Sequence, residues 1–148
     1  MSSFNKYKPK QDRTKLIESV TLNIKAILSS GSIEKHKRDL LDICIWQLTE
    51  VDGKWNTRFR SEGAQTKENW DSVQHEHVFQ RRNLISRLIN EEKISDVILD
   101  AVPCLVTPQE HKFLTSISKD KNIDGWLRYK ACGIRVFDLL TNTEYDFT

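Results

Sequence analysis

Apolar residues spaced three and four apart constrain how the first third of this chain folds. From Arg13 to Ser30, Leu16, Ile17, Val20, Ile24, Ile27 and Leu28 fall on one face of a helix with 3.6 residues per turn. Gly31 interrupts that pattern. With Ser32 as N-cap, a second helix is expected to run to about Val51, with Ile33, Leu40, Leu41, Cys44, Ile45 and Leu48 facing inward. Asp52-Gly53 supplies the closing turn. So short a connection makes the two helices antiparallel neighbours that provide much of the core.

The rest of the chain is assigned from local signals. Residues 1–12 hold little to bury and are expected to be a mobile arm ahead of one globular domain over 13–148. Helical spacing recurs over Asn83–Ile89 and Ile94–Val102, and Pro103 stops it. Cys104-Leu105-Val106 suits a short strand. Thr107-Pro108-Gln109-Glu110 has the form of a capping box with proline at the first helical position, so a helix carrying His111, Phe113, Leu114 and Ile117 should start there. Gly133-Ile134-Arg135-Val136-Phe137 alternates as a final strand does, and Trp126, Tyr129 and Ile134 are core candidates. The expected fold is therefore α+β and predominantly helical. Two N-terminal helices pack on a small two- or three-stranded element around Val78, Leu105 and Ile134.

Composition excludes several classes. A net charge of +2 gives no global basic field, so any nucleic-acid surface must be local. Three scattered cysteines, with no Cys-x-x-Cys pair, argue against a zinc ribbon and a disulfide framework, and so for a reducing cytoplasm. No run is apolar enough for a signal peptide or a membrane span.

Candidate chemistry is concentrated in two short stretches. His75-Glu76-His77-Val78 and Leu105-Val106-Thr107-Pro108-Gln109-Glu110-His111-Lys112 contain three of the four histidines. Imidazole and carboxylate bind divalent cations and move protons near neutral pH. On these residues His77 is the candidate general base, Glu76 and His111 the candidate holders of Mg²⁺ or Mn²⁺, and His75 a possible further ligand. Arg81 and Arg82 follow at once and suit phosphate oxygens. Glu110 is explained by the capping box alone.

A carboxylate–His pair at a strand end, then a strand closing in Leu-Val-Thr and a helix presenting a histidine in its first turn, resembles the HNH, or ββα-metal, nuclease superfamily. The likeness covers residues 75 to about 117. It implies a ββα metal site with Glu76-His77 as the acidic–His pair, His111 as a second ligand, and hydrolysis of phosphodiester bonds in DNA more than in RNA.

Upstream, Trp55, Phe59 and Trp70 are interleaved with Lys54, Arg58, Arg60 and Lys67. Such rings either pin a loop to the core or stack on bases while the cations clamp phosphates. Two functions from different classes follow. One is a metal-dependent endonuclease. The other is a non-catalytic helical interaction protein, such as a phage or mobile-element accessory factor, binding a host protein or nucleic acid through Arg58, Arg60, Arg81 and Arg82. A third, a small-ligand module with Arg128 and Tyr129 as contacts, lacks a phosphate-cradling glycine loop.

Overall fold

The computed structural model of the chain describes residues 6–147. Both N-terminal helices form where the apolar period places them: α1 spans Arg13–Ser29 and α2 spans Glu34–Thr49. Ile33, not Ser32, is the N-cap of α2, no side chain caps it, and Ile33 and Leu40, expected to face inward, are exposed because they lie off the face that α2 turns to α1 and α4. Val20 and Ile24 of α1 meet Leu41, Cys44, Ile45 and Leu48 of α2 in one apolar cluster. Helices α4 (Arg81–Ile89) and α5 (Ile94–Asp100) close it with Leu84, Ile85, Leu88 and Val97. A fully buried Leu, Ile or Val of this kind contributes about 1.5–3 kcal/mol.

A sheet forms the second layer. Its strands are β1 (Phe59–Ser61), β2 (Gln74–His77), β3 (Pro103–Val106), β4 (Val136–Asp138) and β5 (Thr143–Glu144), in the order β2-β3-β1-β4-β5. The pairing is antiparallel except for β1 with β3. Among the described residues five strands replace the two or three expected, because β1 and β5 are too short to display an alternation of their own. Between β1 and β2 lie α3 (Glu62–Gln65) and a 3₁₀ turn at Trp70–Ser72.

The sheet's outer cover is α6 (Pro108–Lys121) and α7 (Trp126–Ala131). The capping box at α6 is complete: Glu110 N–H donates to Thr107 Oγ1 at 3.2 Å, and Thr107 N–H donates to Glu110 Oε1 at 2.8 Å. Ser61 Oγ also donates to Glu110 Oε1 at 2.6 Å, which ties the start of α6 to the end of β1. Leu114 and Tyr129 pack with Cys104, Val106 and Val136 in a second apolar cluster. Phe79 packs against both clusters and joins the layers.

The N-terminal arm departs from the free segment that its composition suggests. Residues 1–5 lie outside the described residues. From Tyr7 onward the chain is held on the turn after α2. Asp52 accepts from Tyr7 Oη at 2.8 Å, Lys10 N–H at 3.0 Å and Arg13 Nε at 3.0 Å. Asn56 Nδ2 donates to the Lys8 carbonyl at 2.6 Å. Among the described residues, no helix is long and apolar enough to cross a membrane.

Candidate functional site

β2 is an edge strand, and successive side chains on a strand point to opposite faces. Opposite Glu76 across the β2–β3 ladder is Cys104, which belongs to the cluster under α6 and α7; opposite His75 is Leu105, which faces the other way with Ala64 and Val73. Glu76 therefore points toward α6 and α7. His75 and His77 point toward α2.

On the α6–α7 face Glu76 is 7% exposed. Its Oε1 accepts from Arg128 Nη1 at 3.1 Å, and its Oε2 meets Nδ1 of His111 in the first turns of α6. Arg128 is 1% exposed, and its Nη2 also donates to the carbonyls of His77, at 2.6 Å, and Val78. Asp124 Oδ1 lies 3.6 Å from Arg128 Nε. Asp124 in turn accepts from Gln80 N–H and Asn83 Nδ2. A buried carboxylate thus sits between a buried guanidinium and an imidazole whose side chain is 42% exposed. A carboxylate facing Nδ1 selects the tautomer with the proton there and leaves the Nε2 lone pair for other work. The arrangement orients one imidazole to accept a proton or to ligate through Nε2.

On the α2 face the histidines have a different environment. The His77 ring meets Trp46 edge-on at 4.4 Å between centroids, and the His75 ring stacks on Trp46 at 5.9 Å. The two imidazoles are 5.4 Å apart. The ring nitrogens of His77 are buried without a hydrogen-bond partner among the described residues. Burial pushes the His75 pKa down to about 4, with the charge of Lys54 adding to it, and that of His77 down to about 3, aided by His75, Arg81 and Arg128.

The structure therefore brings together Glu76 and His111 but not Glu76 and His77. The expectation that Glu76, His111 and His75 hold one ion, with His77 beside it as general base, is corrected by strand alternation. Among the described residues no group of three or more His, Cys, Asp or Glu side chains could hold a metal ion. The donor set does not fit Mg²⁺ or Mn²⁺ as arranged, since these hard ions need oxygen ligands and both Glu76 oxygens are already engaged.

No family model, curated protein or solved structure matches the chain.

The four arginines do not make one surface. Arg60 is fully buried on β1, which corrects its assignment as a nucleic-acid contact. Arg58 forms a two-pronged pair with Asp138, Nε–Oδ1 2.9 Å and Nη2–Oδ2 2.7 Å. Arg81 pairs with Asp42 at 2.8 Å and lies 4.6 Å over the Trp46 ring, while exposed Arg82 reaches Gln80 Oε1 at 3.0 Å. Arg128 and Tyr129 are both buried, so neither serves as the surface contact of a small-ligand module. The role of Arg128 beside Glu76 was not legible in the sequence, because its partner is 52 residues away and no local pattern marks it. Trp46 was missed because a tryptophan at helical spacing signals packing first.

Proposed function

We propose that this protein hydrolyses phosphodiester bonds in nucleic acid at the Glu76–His111 centre. The observation that carries this is the contact between the buried Glu76 carboxylate and His111 Nδ1 across the step from β2 to α6. It is supported by the order of elements: β2 is antiparallel to β3, which leads into α6, and this is the strand–strand–helix arrangement implied by the resemblance to ββα-metal nucleases. In this reading His111 Nε2 takes the proton from the attacking water as its oxygen bonds to phosphorus, the P–O bond to the leaving sugar oxygen breaks and that oxygen takes a proton from solvent, and Glu76 holds the ring and stabilises the imidazolium that forms. Arg128 holds the carboxylate in place. Lys112, exposed next to His111, and the N-terminal end of α6 supply positive charge for the phosphate. His77 has no proton-transfer role, being on the opposite face of β2. No step is routed through a metal ion.

The test is cleavage of supercoiled plasmid and of DNA and RNA oligonucleotides, with EDTA, Mg²⁺ and Mn²⁺ as separate arms. His111→Ala and His111→Asn should reduce the rate by at least about a hundredfold, as expected for loss of a general base, while His77→Phe retains it. Cleavage by the native protein that survives both His111 substitutions, or no cleavage in any arm, overturns the reading. A non-catalytic interaction protein is favoured by a separate observation, the exposed Leu22, Leu40 and Ile43 on α1 and α2. That reading takes first place if every arm is silent.

A further inference from the structure

The α2 side of β2 carries a second feature, independent of the Glu76–His111 centre. Trp55 and Trp70 stack with ring centroids 5.6 Å apart and an interplanar angle of 26°. Trp70 is 43% exposed, and Trp55 is only half-buried against the small cluster of Ala64, Val73 and Leu105. A tryptophan pair placed only for packing is normally sealed, since its rings contribute most when removed from water. Exposed Lys54 has its Nζ 5.0 Å over the Trp55 ring. Lys54 also acts electrostatically on His75, whose ring stacks on Trp46, over which lies Arg81. The opposite side of β2 holds Glu76 and His111.

We infer that the exposed ring of Trp70, backed by Trp55 and Lys54, forms a platform for single-stranded nucleic acid, on which a base stacks on Trp70 and the Lys54 ammonium meets a phosphate. This deepens the hydrolase reading by naming its substrate class, and it rests on that reading only for the fate of the bound strand. Every base has a π-face, so the platform tolerates sequence, whereas a duplex keeps its base faces inside its own stack. The local charge is modest. Arg81 is paired with Asp42, and exposed Glu68 and Asp71 flank Trp70 in the chain. Stacking therefore supplies more of the affinity than charge does, and the salt dependence is shallow. For the one phosphate that Lys54 neutralises, the slope of log affinity on log salt is about −0.7.

The experiment is fluorescence anisotropy with labelled oligothymidylate, oligouridylate and a duplex of the same length, with the label shown intact on a denaturing gel after each reading so that binding is read apart from cleavage. Both single strands should bind more tightly than the duplex. Trp70→Ala, a change at an exposed ring, should weaken single-strand binding about tenfold or more, and Trp70→Phe should recover part of it. Lys54→Gln should weaken binding severalfold and flatten the salt slope by about 0.7. Leu99→Ser, at an exposed residue of α5, should bind as the native protein does. Equal affinity for duplex and single strand, or native affinity in Trp70→Ala, overturns the platform. If Trp70→Ala loses binding while no variant or native protein cleaves, the platform stands and the hydrolase reading falls. If His111→Ala loses cleavage while Trp70→Ala binds normally, the reverse holds.

Discussion

The Arg128 guanidinium and the Glu76 carboxylate form an ion pair, Nη1 to Oε1 at 3.1 Å, in which both side chains are less than a tenth exposed. Arg128 is also hydrogen-bonded to the carbonyls at the end of β2, so one side chain holds the strand and its carboxylate together. Removing one member of such a pair leaves the other charged and desolvated. Arg128→Met should cost about 3–5 kcal/mol in urea unfolding. Arg128→Lys should recover little, since a single ammonium cannot match the planar fork that reaches the carboxylate and two carbonyls at once. The double variant Arg128→Met/Glu76→Gln should lose less than the two single changes added together. Additive losses would show that the pair contributes no coupling.

Acid should destabilise the fold through the α2-side histidines. Their folded pKa values, about 4 for His75 and about 3 for His77, lie below the ordinary 6.5 expected of the unfolded chain. Between those limits the unfolded state binds protons that the folded state refuses, so stability falls as pH falls, by up to about 1.4 kcal/mol per histidine per pH unit. Urea midpoints measured from neutral pH down to pH of about 5 should show this slope, and His77→Phe should flatten it. An unchanged slope in His77→Phe would mean that the ring titrates freely in the folded protein.

Gly125 should tolerate no side chain. Its φ of +67° and ψ of −152° lie in a region that essentially only glycine occupies, and a Cβ there would sit 2.5 Å from Phe79 Cε1. Phe79 is the ring that joins the two apolar clusters, so displacing it disturbs the packing of both. Gly125→Ala should lower stability by about 2–4 kcal/mol, the sum of backbone strain and overpacking, read as a shift in the thermal midpoint.

Asp52 should control the N-terminal arm. Its carboxylate gathers Tyr7, Lys10 and Arg13, and burial with this hydrogen bond raises the Tyr7 pKa to about 12. Asp52→Ala should make the chain cleavable by trypsin after Lys10 severalfold faster while the global unfolding midpoint moves by about 1–2 kcal/mol at most. Equal cleavage rates in the two proteins would show that the arm is not held by this residue.

How far the sequence could be read depended on whether the signal was local. The capping box at Thr107 and the apolar periods of α1 and α2 lie within a turn or two of chain, and each appears in the structure where the residues indicate. β1 was not legible. Its three residues, Phe59-Arg60-Ser61, are all buried and show no alternation, and their parallel partner β3 begins more than forty positions later. The docking of residues 7–12 was hidden for a similar reason, since a polar segment becomes ordered only when a distant acceptor such as Asp52 is brought to it.

At the candidate site the division is the same. The residues alone singled out Glu76 and His111 as candidates, because carboxylate and imidazole are the groups that move protons and His111 sits in the first turns of a well-marked helix. They also placed His77 beside Glu76, where only the pleat of a formed strand could separate the two. Which histidine meets the carboxylate, and that Arg128 balances its charge, depended on contacts across 35 and 52 residues of chain. Short-range propensity acts through steric and capping terms inside one element, whereas the choice of ion partners is made by desolvation as the elements close on one another, and that choice exists only in the tertiary structure.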